Sequence, residues 1–402
     1  MKAIIRSGTA KGTVTAPPSK SMTHRLLICA ALAKGTSTIR GAAPSEDTLA
    51  TADCLGALGA SVTWSGSDII VRGCDPERAA HACLPCRESG STLRFLLPLC
   101  LLSGRPMRME GSETLMSRPL SVYEDLCLSH GMHLVRDGST GIVLQGRLWP
   151  GEYVIPGNVS SQFITGLLVA LPLLPSPSQI RILPPLESRS YISLTLQALR
   201  DAGVQVFWKD ELTLEISGSA VYRPLFTTVE GDYSNAAFFE ALNCAGGNVT
   251  VTGLRSDSLQ GDRVYQEFFS RLRAGPARLD LSDCPDLAPV LFAVAAICHG
   301  ADFTGTRRLR YKESDRGAVM SQELAKFGVA LRLEENTITV PAGNLHAPSE
   351  PLDSHNDHRI AMALSVLCTR TGGEIGKAEA VCKSFPDYWD RLGSLGISIT
   401  IQ

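Results

Sequence analysis

The chain has 402 residues, 44% of them hydrophobic and 19% charged, which suits roughly two globular domains with buried cores. Its formal net charge of −2 excludes a protein that grips nucleic acid by bulk positive charge, so any anion site must be a local concentration of Arg and Lys. The longest apolar runs, 163–174 and 287–298, are too short to span a bilayer and read as buried helices.

Met1-Lys2-Ala3-Ile4-Ile5 reads at once as a strand. No apolar leader with a cleavage site and no Arg/Ser-rich transit segment precedes it, so a cytoplasmic protein with no membrane partner is expected. From there a pattern recurs at intervals of about seventy residues, with one shorter interval. Each repeat opens on a polar cluster, enters an apolar helix and passes through a short strand. A second, amphipathic helix then ends in Gly, and a strand or hairpin closes the repeat.

The six apolar helices follow Ser19-Lys20-Ser21, Glu88-Ser89-Gly90-Ser91, Val159-Ser160-Ser161-Gln162, Asp232-Tyr233-Ser234-Asn235, Cys284-Pro285-Asp286 and Asn356-Asp357-His358-Arg359. Ser, Asp and Asn are the residues whose short side chains cap the free N–H groups of a helix start. The second helices read as 47–58, 122–129, 192–202, 264–273, 318–327 and 388–395. They are followed by Gly59, Gly131, Gly203, Gly275, Gly328 and Gly396, each expected in the left-handed conformation that ends a helix. Pro98, Pro172 and Pro289 fall within apolar helices and predict kinks. The fourth repeat is expected to carry only strand 277–281 and no return strand, which explains the short interval.

Six repeats divide as three and three. The boundaries predict one domain over 17–231 and a second over 1–16 plus 232–402. The Ala16-Pro17-Pro18-Ser19 and Val229-Glu230-Gly231-Asp232 stretches would be the hinges of a closing pair of lobes. The twelve Cys lie mostly inside apolar runs and read as buried free thiols. Cys83-x-x-Cys86 and His355-x-x-His358 lack further ligands at zinc spacing, so no metal is expected.

The densest charge cluster is Tyr311-Lys312-Glu313-Ser314-Asp315-Arg316, just before a helix. Helix starts offer free N–H groups to anions. Ser314 and Asp315 are expected to cap the helix that follows. If the six helix starts share one cleft, Lys20, Arg25, Arg94, Arg118, Arg189, Lys312, Arg316, Arg359 and Lys383 supply cations. Ser21, Ser89, Ser91, Ser160, Ser161, Gln162, Ser188 and Tyr191 supply donors, and Asp286 and Glu313 the acids. This inventory suits a substrate with several phosphate or carboxylate groups. No glycine-rich phosphate loop is present.

At these motifs the sequence resembles the EPSP synthase family. The resemblance rests on Ala16-Pro17-Pro18-Ser19-Lys20-Ser21-Met22-Thr23-His24-Arg25, Gly90-Ser91-Thr92-Leu93-Arg94, Val159-Ser160-Ser161-Gln162-Phe163 and Tyr311-Lys312-Glu313-Ser314-Asp315-Arg316. Asn356-Asp357-His358-Arg359 and Lys383-Ser384-Phe385-Pro386-Asp387-Tyr388 complete it, in order along nearly the whole chain. It implies an inverse α/β barrel of two similar lobes, each of three βαβαββ units. It also implies transfer of the enolpyruvyl group of phosphoenolpyruvate to the 5-hydroxyl of shikimate 3-phosphate, without a metal or organic cofactor, by a monomer.

By the same resemblance, shikimate 3-phosphate would contact Lys20, Ser21, Arg25, Ser160, Ser161, Gln162, Ser188, Tyr191, Asp286 and Lys312. Phosphoenolpyruvate would contact Lys20, Gly90, Arg118, Gln162, Arg316, His358, Arg359 and Lys383. Asp286 suits the base that takes the hydroxyl proton, Glu313 the acid that protonates the enol carbon, and Lys20 a partner in charge stabilisation or proton transfer. The lobe over 17–231 would then be the shikimate 3-phosphate lobe. Two positions depart from the family, which usually has Asn at Glu88 and at Arg308. The related UDP-N-acetylglucosamine enolpyruvyl transferases carry a Lys-Asn pair where this chain reads Ser-Lys-Ser-x-x-x-Arg.

Overall fold

The structure, a computed structural model, describes residues 1–79 and 83–402. The chain divides into a continuous lobe, Pro18–Val229, and a discontinuous lobe made of Met1–Pro17 and Glu230–Gln402. Each has its own apolar core.

The continuous lobe is built on three buried helices, Lys20–Leu32, Gly90–Cys100 and Ser161–Ala170. The discontinuous lobe is built on Tyr233–Cys244, Ala288–Ile297 and His358–Thr371. Five of the six start at a side-chain cap, with Ser19, Ser89, Ser160, Asp232 and Asp357 each accepting a backbone N–H of the first turn. Such a cap contributes about 1 kcal/mol and fixes where the helix begins. The sixth grows instead out of a 3₁₀ turn, Pro285–Leu287, with no side-chain cap.

Each lobe also contains three sheets. In the second repeat Cys83–Pro85 runs parallel to Met107–Glu110. That strand pairs antiparallel with Gly141–Gln145, which pairs with His133–Asp137. The third and fifth repeats have the same strand order.

The remaining sheets exchange strands along the chain. Phe226–Thr228, at the end of the continuous lobe, supplies the first strand of repeat one, parallel to Thr36–Arg40. Lys11–Thr15, just ahead of the first helix in sequence, instead pairs with Asn248–Thr252 of repeat four. In repeat six Leu352–Asp353 runs parallel to Gly373–Gly376, and the sheet is completed by Lys2–Ile5 and then Ile399–Ile401.

Several sequence expectations need correction. The strand expected to close repeat four is the opening strand of repeat five: Ala277–Asp280 runs parallel to Gly300–Thr304 across the Ala288–Ile297 helix. Pro172 lies in a 3₁₀ turn after its helix, and Pro289 lies in the first turn of its own, where no intrahelical N–H is needed. Gly275 has φ 163°, extended backbone open to any residue, whereas the other five terminating glycines have φ between 69° and 105°. Ser314 does not cap. Asp315 alone accepts the N–H of Ala318, and the Ser314 hydroxyl donates to Asp357.

Pro98 is the proline that does interrupt a helix. Its missing N–H leaves the Arg94 carbonyl without its helical donor. The Tyr123 hydroxyl donates to that carbonyl at 2.8 Å and is 3.0 Å from the Phe163 carbonyl of the neighbouring helix. Gly166 makes room for this crossing, because a Cβ there would stand 2.2 Å from Tyr123 Oη and 2.4 Å from the Arg94 carbonyl oxygen. The two helices thereby hold Arg94 and Gln162 side by side at their starts.

Candidate active site

In the continuous lobe, Lys20 opens the first helix and pairs with Asp47 of the Glu46–Ala57 helix, Nζ to Oδ2, at 2.6 Å. Arg25, one turn on, is 2% exposed. Its Nε donates to Thr195 Oγ1 at 2.8 Å, Nη1 to the Ser21 carbonyl at 2.6 Å, and Nη2 to the Tyr191 carbonyl at 3.1 Å and Thr165 Oγ1 at 3.5 Å. Burial lowers its pKa to about 10, so it remains cationic at neutral pH. Arg25 thus ties the helix starts holding Ser21, Ser161 and Tyr191 into one cluster. Ser188, with φ 58°, precedes the Arg189–Asp201 helix that carries Tyr191.

Gln162 joins the second and third repeats. Arg94 Nη1 donates to its Oε1 at 2.7 Å, its Nε2 donates to Ser91 Oγ at 2.9 Å, and its N–H donates to Ser160 Oγ at 3.3 Å. Arg118 lies beside Gly90, where an added Cβ would stand 2.9 Å from Arg118 Nη1 and 3.5 Å from Arg94 Nη1. The Arg118 Nε is buried with no hydrogen-bond partner among the described residues. A glycine at a helix start, two guanidinium groups and a buried free donor suit an anion.

In the discontinuous lobe, Arg316 is the hub. It is 0% exposed. Its Nε donates to Asp357 Oδ2 at 2.8 Å, Nη1 to Asp286 Oδ1 at 2.8 Å, and Nη2 to Glu313 Oε2 at 2.6 Å. Burial alone would lower its pKa, but Asp357, Glu313 and Asp286 outweigh that and hold it above its ordinary value.

Asp286 is held by three cations. Lys312 Nζ stands 3.0 Å from its Oδ1, Arg316 Nη1 2.8 Å from the same atom, and Arg359 Nη2 3.2 Å from Oδ2. Burial opposes its ionisation, yet Arg359, Lys312 and Arg316 keep it well below the ordinary carboxylate range. Arg359 also donates to Ser234 Oγ, and Lys383 Nζ to the Asn356 carbonyl at 2.6 Å. His358 is fully buried next to Asp357.

Each lobe therefore gathers its own share of the expected residues. Lys20, Ser21, Arg25, Gly90, Arg118, Ser160, Ser161, Gln162, Ser188 and Tyr191 lie in the continuous lobe. Asp286, Lys312, Glu313, Arg316, His358, Arg359 and Lys383 lie in the other. Three participants escaped the sequence reading. Asp47 reads as an ordinary first-turn helix acid, and Asp357 as a cap alone. Asp262 lies in a stretch with no charge run. It is buried near Arg359, and burial with the nearby Asp286 charge raises its pKa to about 6. Of the two departures, Arg308 is buried and donates to the Ser282 carbonyl at 2.7 Å, and Glu88 is half-buried.

Among the described residues no group of three His, Cys, Asp or Glu is arranged to hold a metal, and no helix is long and apolar enough to cross a membrane.

Six repeats of this kind, each built on a buried helix, define an inverse α/β barrel of the enolpyruvyl-transferase type. The EPSP synthase of Acinetobacter baumannii has this fold, with a TM-score of 0.79 at 22% identity over the whole of both chains. So does the enolpyruvyl transferase NikO of Streptomyces tendae, with a TM-score of 0.76 at 16% identity, covering 99% of this chain and 98% of that one. The family profile of EPSP synthase (3-phosphoshikimate 1-carboxyvinyltransferase) matches residues 5–392. A 3-phosphoshikimate 1-carboxyvinyltransferase of Clostridium kluyveri is 37% identical, over 96% of this chain and 95% of its own. The chain belongs to the EPSP synthase family of enzymes.

Proposed function

We propose that this enzyme joins phosphoenolpyruvate and shikimate 3-phosphate, moving the enolpyruvyl group to the 5-hydroxyl and releasing phosphate, as a cytoplasmic monomer. The observation that carries the assignment of roles is the sharing of Arg316 by Asp286 and Glu313. One cation thus touches both carboxylates the reaction needs.

When the phosphoenolpyruvate anion competes for Arg316 and Arg359, the hold of the Arg316 guanidinium on Glu313 weakens and the substrate's own negative charge raises its proton affinity. Asp286 keeps Lys312 and stays ionised. Asp286 then takes the proton of the 5-hydroxyl as its oxygen attacks C2, and Glu313 delivers a proton to C3. In the elimination that follows, a proton leaves C3 for Glu313, the C2–O bond to phosphate breaks, and phosphate departs with the proton that Asp286 took from the hydroxyl, which returns both carboxylates to their starting states.

Arg316, Arg359, His358, Lys383, Lys20, Gly90, Arg118 and Gln162 serve phosphoenolpyruvate. Ser21, Arg25, Ser160, Ser161, Ser188, Tyr191 and Lys20 hold shikimate 3-phosphate, with Asp286 and Lys312 at its reacting hydroxyl. Lys20, loosened from Asp47 by a substrate anion, stabilises charge at the bridging oxygen.

The test is phosphate release from phosphoenolpyruvate. Release is expected only with shikimate 3-phosphate present; release with UDP-N-acetylglucosamine in its place would refute the assignment. A second measurement addresses Gly90. In Gly90→Ala the new methyl meets the mobile end of Arg118, so the fold tolerates it while the guanidinium is displaced. The Michaelis constant for phosphoenolpyruvate is expected to rise roughly fivefold, equivalent to about 1 kcal/mol, with the thermal midpoint unchanged. An unaltered constant would remove Arg118 from the phosphoenolpyruvate site.

A further inference from the structure

The Arg316–Ala325 helix grips the segment 353–357 at two heights. Arg316 holds Asp357 at the helix start. About two turns further along, Glu323 lies under the same segment and is 1% exposed. Its Oε1 accepts from Lys326 Nζ and from His355 Nε2, both at 3.0 Å, and its Oε2 accepts the backbone N–H of Asp353 at 3.0 Å. Asp353 in turn accepts the N–H of His355 at 2.6 Å.

The segment that Glu323 holds has an unfavourable backbone. His355 and Asn356 are consecutive non-glycine residues with φ 51° and 57°. In that left-handed region Cβ crowds the following carbonyl, so side-chain contacts have to maintain it. The turn has two products. It aims the Asn356 carbonyl at Lys383 Nζ, 2.6 Å away, and it delivers Asp357 as the cap whose Oδ1 accepts the N–H of Arg359 at 2.9 Å. Neither Arg359 nor Lys383 touches Glu323, yet both depend on the geometry of residues 355–356.

We propose that Glu323 is a positioning residue for the phosphoenolpyruvate half of the reaction, acting through His355 to hold the left-handed pair that sets Arg359 and Lys383. The proposal rests on the reading that these two cations bind phosphoenolpyruvate. The Glu323 carboxylate supplies what an amide does not, an acceptor for three donors with a charge to match Lys326.

Steady-state kinetics with both substrates test it on the full-length enzyme. In Glu323→Gln the Michaelis constant for phosphoenolpyruvate is expected to rise about tenfold, with kcat and the constant for shikimate 3-phosphate held within about twofold. Asn356→Gly supplies a residue that enters the left-handed region freely. Added to Glu323→Gln, it should return the phosphoenolpyruvate constant to within about threefold of that of Asn356→Gly alone.

His355→Ala leaves the pair of buried Glu323 with half-buried Lys326 in place and should show the same selective rise and the same rescue, which covers the case in which Glu323→Gln does not fold. A general structural role would lower kcat and raise both constants together, with no relief from glycine, and that result overturns the proposal. So does an unchanged phosphoenolpyruvate constant in an active enzyme. A wild-type enzyme that does not turn over this substrate pair overturns the functional reading, and the proposal with it.

Discussion

Replacing Arg316 by alanine is expected to abolish turnover and to destabilise the protein by about 3–5 kcal/mol, the usual result of stripping the partner from buried charge. Arg316 is fully buried and its three nitrogens face Asp357, Asp286 and Glu313. Asp357 is also fully buried, so its charge is left in the interior without the cation that matched it.

The pH dependence separates this account from simple loss of packing. In the native protein Asp286 ionises well below the ordinary range. Its contribution to stability is therefore complete above the unfolded value of about 4 and is lost as the pH falls below it toward the folded value. Without Arg316, Asp286 still has Lys312 and Arg359, but the site as a whole is left with uncompensated negative charge. The deficit of the variant should be greatest near neutral pH and shrink toward about pH 5, as protonation removes uncompensated charge. Urea unfolding of both proteins at the two pH values measures it. Equal deficits would mean that the loss comes from packing and not from charge.

Glu313→Gln is expected to lower kcat by about 10²- to 10⁴-fold, the range associated with a lost general acid or base. Glutamine keeps an oxygen for Arg316 Nη2, now 2.6 Å from the carboxylate, so the hub stays assembled. Calorimetric affinities for both substrates should remain within about threefold of the native values. Turnover that survived the substitution would end the case for Glu313 as the proton donor at C3. The present pairing with Arg316 favours the ionised carboxylate, so the acid role requires substrate to compete for that guanidinium.

The repeat was legible because its punctuation is chemical. Ser19, Ser89, Ser160, Asp232 and Asp357 are residues that cap, and they do so. Glycines that end amphipathic helices do so because few other residues adopt positive φ without strain. The strand exchanges were not legible. Lys11–Thr15 and Phe226–Thr228 are short alternating segments, and nothing local to either states which parallel neighbour it will join.

The site divides in the same way. Lys312, Glu313 and Arg316 stand out as a charge run, but a run does not say that one arginine will hold carboxylates from three separate segments. Glu323 is harder still. It occupies an ordinary helical position four residues before Phe327, and only the fold brings it under His355. Asp262 carries no sequence signal at all, since its altered proton affinity comes from burial and from a charge more than twenty residues away.

The position of Lys2–Ile5 between Gly373–Gly376 and Ile399–Ile401 has a consequence for biosynthesis. A ribosome makes the first of these strands long before its two partners. The continuous lobe contains all the strands of its three sheets by Val229 and can complete its core while the rest is still being translated. The lobe bearing Asp286 and Glu313 cannot finish this sheet until Ile399–Ile401 has emerged. A chain released early thus carries Lys20, Arg25 and Gln162 in a finished lobe, while the lobe with both carboxylates is left open.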